Sequence, residues 1–188
     1  MKIVKRVIGF WIVLALSSHA ISETTNEAIN ERISQTHSTT PLNKEQTNID
    51  IELMLPKIDA HPYHKPFVAV WLETADRQPI ETIAIWYDDA EWLKDLRQWW
   101  RKLGREQHLS GAIDSISGAT QKPGTHLIRW KGTVDVKEAM INIEVAREEG
   151  GRSYHREAIS MTQGGKYKVM KSHEYGDITI YINRKNAH

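Results

Sequence analysis

The 188-residue chain contains no cysteine. That absence excludes disulfides, thiolate-held iron–sulfur clusters, CxxCH haem attachment, thiol nucleophiles and dithiol redox chemistry. It also excludes lipid attachment through a cysteine. Any redox role would rest on an organic cofactor or on a His/carboxylate metal site. Charge of either sign is scarcely in excess, with 25 Lys and Arg against 24 Asp and Glu. No apolar run is long enough to span a bilayer comfortably. There is no G-x-S-x-G elbow, HExxH pair or Ser-His-Asp order. Glu144, Glu148 and Glu149 have no partner carboxylate that spacing identifies, so a glycosidase pair is not indicated. No motif repeats along the chain, which argues against a propeller or solenoid.

What is present begins with Lys2, Lys5 and Arg6 ahead of the apolar run Val7 to Leu16, followed by Ser17-Ser18-His19-Ala20. This is the order of a signal peptide, with cleavage expected after Ala20. Export implies a periplasmic protein that is not integral to the membrane. Loss of residues 1–20 removes three positive charges and no negative ones, leaving 22 against 24 and a net charge of −2. A slightly acidic chain lacks the basic footprint by which nucleic acids are bound, so that class is set aside. Residues 21–46 are rich in Ser, Thr, Asn, Gln and Glu without sustained periodicity, and read as a disordered leader. Residues 47–188 then form a single domain.

Within that domain Ile49, Ile51, Leu53 and Leu55 alternate with polar residues as a half-buried strand does. Residues 65–73 and 79–87 are apolar on both faces and read as paired central strands. Asp88-Asp89 offers an N-cap to a helix over about Ala90 to Leu103, with Gly104 as its terminator. Alternation returns at 125–132, 138–148, 153–161 and 175–183, while Gly150-Gly151 and Gly164-Gly165 read as turns. The expected fold is mainly β: an antiparallel β-sandwich of about seven strands with one crossover helix. Trp92, Trp99 and Trp100 fall on the helix's apolar stripe and read as core. Lys94, Arg97, Arg101, Lys102 and Arg105 lie opposite, as a solvated face or a docking face for a redox partner. His61 and His64 form one close imidazole pair, fewer ligands than a metal site needs.

The segments KPFVAVWLE, SGATQKPGTHLIRW and INIEVAREEGG, together with the Trp-rich helix, resemble in this order a bacterial family of predicted periplasmic proteins, domain of unknown function twenty-two seventy-one. The likeness runs from about Thr47 to the C-terminus and implies a periplasmic single domain.

A second resemblance lies inside that span. Asp114-Ser115-Ile116-Ser117-Gly118-Ala119-Thr120 fits D-x-x-[S/T]-G-A-T, which resembles the acceptor site of exported flavin-carrying proteins. The resemblance implies that a flavin transferase joins FMN, taken from FAD, to the Thr120 hydroxyl. Asp114 would serve recognition, Ser117, Gly118 and Ala119 would complete the acceptor site, and Gly118 and Ala119 would keep the approach open. The protein would be an electron-transfer carrier working with a membrane-bound or periplasmic redox partner, its isoalloxazine stacked on Trp86, Trp99 or Trp130. The other reading of the same residues is structural. Ser117-Gly118 and Pro123-Gly124 describe two turns leading into the next strand, with glycines at positive φ. On that reading the domain is a non-catalytic binding or accessory module for a protein, glycan or metal ligand.

Overall fold

The computed structural model describes residues 46–184; the expected signal peptide and nearly all of the leader lie outside the described residues. Among the described residues nine strands form two sheets. They are β1 (Thr47–Leu55), β2 (Phe67–Glu73), β3 (Pro79–Trp86), β4 (Ser117–Gly118), β5 (Gly124–Gly132), β6 (Glu138–Ala146), β7 (Arg152–Ser160), β8 (Gly165–Val169) and β9 (Ile178–Arg184). One sheet has the order β5-β1-β9-β8 and the other β4-β3-β2-β6-β7. All neighbours are antiparallel except β3 and β4.

The sandwich core follows from the alternation seen in the sequence. Ile49, Ile51, Leu53 and Leu55 of β1 point inward, where they meet Val68, Val70 and Leu72 of β2 and Ile141, Ile143 and Val145 of β6. Burial of each such side chain stabilises by about 1.5–3 kcal/mol before entropy is counted. The opposite face of β2 is buried as well, because the five-stranded sheet is covered on its outer side by the chain between β3 and β4. Phe67, Ala69 and Trp71 pack there against Leu93, Leu96, Trp99 and Ile113. This second layer explains why β2 is apolar on both faces.

The crossover is helical but is not one regular helix. A 3-10 turn over Ala90–Asp95 leads through Leu96 into a single α-turn at Arg97–Trp99, a π-helical stretch at Trp100–Gly104 and an α-helix at Arg105–Ser110, with a last 3-10 turn at Ala112–Ser115. Asp89 caps its start, accepting the Glu91 N–H at 3.0 Å. Gly104 does not end it. That residue is helical at φ −61°, and the left-handed terminator is Gly111 at φ 72°. Gly104 is small for a different reason: a Cβ there would lie 2.5 Å from the Trp99 ring. Trp99 is fully buried, whereas Trp92 and Trp100 are half-buried.

Two of the nine strands were not among the seven expected. β4 is only a two-residue bridge, and β8 pairs along β9 immediately after the Gly164-Gly165 turn. Of the glycines expected at positive φ, Gly124 is (138°) but Gly118 is not; in the Gly150-Gly151 turn the positive-φ residue is Glu149.

Candidate functional site

The DSISGAT segment lies at the edge of the five-stranded sheet. The crossover returns the chain beside the strand it left, and β4 pairs in parallel with β3, Ser117 opposite Ile85 and Gly118 opposite Trp86. The Gly118 carbonyl accepts the Tyr87 N–H at 3.0 Å, and the Ile116 carbonyl accepts that of Ile85 at 3.4 Å. Gly118 is small because Trp86 sits against it; a Cβ would come within 3.2 Å of the indole Cδ1. Asp114 and Ser117 are exposed and meet only weakly, Ser117 Oγ donating to the Asp114 carbonyl at 3.5 Å. Ala119 is exposed, and its carbonyl accepts from Gln121 Nε2 at 2.8 Å.

Thr120 is the exception in this exposed segment, with only 5% of its surface accessible. Its hydroxyl donates to Asp88 Oδ2 at 2.6 Å, and its backbone N–H donates to Asp88 Oδ1 at 3.2 Å. The same carboxylate therefore holds both donors of one residue. The Thr120 hydroxyl holds the Asp88 carboxyl below its ordinary pKa; desolvation opposes this, while the Thr120 N–H and the Lys65 charge add to it. Asp88 is therefore ionised at neutral pH.

The acidic neighbour of Thr120 is Asp88 and not Asp114, which makes no hydrogen bond to it among the described residues. Asp88 was hidden in the sequence by Asp89, since either could have capped the helix. Once Asp89 takes the cap, Asp88 is left to bind elsewhere. Of the aromatic rings suggested beside Thr120, Trp99 is 0% and Trp130 9% exposed, so neither offers a free face, while Trp86 is half-buried with the His126 ring edge-on at 5.7 Å.

The two histidines of the His61-His64 pair take separate carboxylates, Asp59 at 3.3 Å and Glu148 at 3.1 Å. Among the described residues no group of three or more metal-binding side chains converges. No helix of the described residues is long and apolar enough to cross a membrane.

Sequence reasoning also missed the polar floor beneath the crossover. Glu144, fully buried, accepts the backbone N–H groups of Gln98 at 2.9 Å and Trp99 at 3.0 Å, and the Arg152 guanidinium at 3.0 Å. These bonds fix the crossover to β6, which two strands separate from β4 in the sheet order β4-β3-β2-β6-β7. An isolated Glu in an apolar strand was the only signal for them.

Comparison with curated proteins and with solved structures finds no match. A family model matches residues 48–177, a span that holds β1 from its second residue, β2 to β8 and all of the DSISGAT segment. The chain belongs to the family described as "Predicted periplasmic protein (DUF2271)".

Proposed function

We propose that this periplasmic protein carries FMN in phosphoester linkage on Thr120 and relays electrons to a membrane-bound or periplasmic redox partner. The observation that carries the reading is the 2.6 Å hydrogen bond from Thr120 Oγ1 to an ionised Asp88, at the last position of a D-x-x-[S/T]-G-A-T segment. A hydroxyl that donates to a carboxylate is polarised toward the alkoxide it must approach in attacking phosphorus. In the transfer, Thr120 Oγ1 bonds to the FMN phosphorus of FAD and the P–O bond to AMP breaks. AMP leaves with the bridging oxygen, and the hydroxyl proton is released, Asp88 being the nearest group to receive it.

Burial of Thr120 requires that the residues flanking it open in the transferase while the Asp88–Thr120 bond is kept. The segment is suited to that, because β4 is a two-residue edge bridge and edge elements with few backbone bonds open at low cost. The same burial favours the other reading, in which the Asp88–Thr120 pair only fastens a turn and the domain is a non-catalytic binding module.

Intact mass decides between them. Co-expressed with a flavin transferase and FAD, the exported protein gains the mass of one FMN less water and fluoresces in a denaturing gel. Thr120→Ala abolishes both signals, and Asp114→Ala reduces labelling. Unlabelled wild type, where a known acceptor is labelled in parallel, would leave the binding module as the function.

A further inference from the structure

At the end of the sandwich that holds Thr120, a cavity of about 480 Å³ opens between the loop after β1 and the loop before β5. Lys57, Ile58, Ala60, His61, Tyr63 and Pro123 are among its lining residues. Its size suits a single small organic ligand. We propose that this cavity is the bed for the isoalloxazine ring of the flavin on Thr120, an inference that rests on the reading above.

Three observations carry it. The first is reach. Leu55 pairs with Gly124, which sets the two loops side by side, and Pro123 is three residues from Thr120, a separation of at most about 11 Å along an extended chain. The ribityl phosphate arm of FMN covers such a span. The Lys65 charge acts on Asp88 from the loop after β1, so that loop and the acceptor pair share one neighbourhood.

The second is the construction of Tyr63. The Arg147 guanidinium stacks on its ring at 5.1 Å and is itself held by Glu174 at 2.9 Å, with side chains only 3% and 1% exposed. Glu174 is fixed in turn by the Gly151 N–H at 3.0 Å. A rigid ring at a cavity wall is a low-entropy platform for a planar ligand.

The third is that the rings suggested from the sequence are engaged elsewhere. Trp99 and Trp130 are buried, and Trp86 has Gly118 against its indole and His126 at its edge.

The test uses the exported, flavin-labelled protein and its Tyr63→Ala, Ala60→Leu and Trp86→Phe variants, each checked for the full mass gain. Ala60→Leu narrows the cavity and leaves Tyr63 in place, so it remains informative if Tyr63→Ala folds poorly. A ring held in the cavity is quenched by Tyr63 and shielded from iodide. Both cavity variants should then raise flavin emission several-fold and raise iodide quenching toward that of free FMN, while Trp86→Phe changes neither. Labelled cavity variants that match wild type would overturn the cavity and leave attachment to Thr120 standing. A response confined to Trp86→Phe would move the ring to that indole. Wild type without the mass gain would remove the attachment, and the bed with it.

Discussion

Glu144, with no accessible surface, accepts the backbone N–H of Trp99 at 3.0 Å across two elements 45 residues apart. A carboxylate buried in a sheet is costly unless fully paired, and here two backbone donors and Arg152 satisfy it. Glu144→Ala leaves those donors without an acceptor and is expected to destabilise by about 3–5 kcal/mol. Glu144→Gln keeps one acceptor oxygen and should cost less. Urea titration of both variants checks the order, and equal losses would mean that side-chain volume matters more than the hydrogen bonds.

Two neighbouring tryptophans should respond differently. Trp99 is fully enclosed and its indole N–H donates to Thr82 Oγ1 at 3.0 Å, so Trp99→Ala should cost about 3–5 kcal/mol. Trp100 is half-buried, and the loss at Trp100→Ala should be less than half as large. Periodicity alone put both on the core face. Equal losses in denaturant would show that the crossover seats them alike.

The glycines of the crossover separate by cause. At Gly104 a Cβ would strike the enclosed Trp99 ring, so Gly104→Ala should cost about 1–3 kcal/mol through overpacking. At Gly111 there is open space but φ is 72°, and Gly111→Ala should cost about 1 kcal/mol through backbone conformation. Combining Gly104→Ala with Trp99→Leu should recover part of the first loss and none of the second. A double-mutant cycle by thermal unfolding measures this.

Much of the fold was legible because a strand's two-residue period reports directly which face is buried. Ile49, Ile51, Leu53 and Leu55 announced the inner face of β1, and the doubly apolar β2 announced a layer on each side. The crossover was legible only in outline. Between its interruption at Leu96 and the π-helical turn at Trp100–Gly104, Glu144 holds the chain at Gln98 and Trp99, a contact about 45 residues distant that no local window contains. The candidate site was half legible for the same reason. DSISGAT named Thr120, but Asp88 is 32 residues away and reaches it only because β4 lies beside β3.

That pair makes the last prediction. The folded-state pKa of Asp88 lies below its ordinary value, with the Thr120 hydroxyl as the main cause. The unfolded chain therefore binds a proton at a higher pH than the folded one does. The stabilisation is fully present above the unfolded value, about 3.9, and is lost as pH falls from there through the lower folded value. Thr120→Val keeps the buried volume and removes the hydroxyl, so the Asp88 carboxyl should titrate closer to its ordinary value. The stability difference between wild type and variant should then be constant from neutral pH down to about 5 and shrink below about 4. Carboxyl-carbon NMR titration of Asp88, alongside urea denaturation at each pH, measures both quantities. A difference that stays flat down to the acid limit would mean that the hydroxyl bond does not distinguish the ionised carboxylate from the protonated one. The hydroxyl would then not be polarised by Asp88, and the attack on phosphorus would have to draw its activation wholly from the transferase.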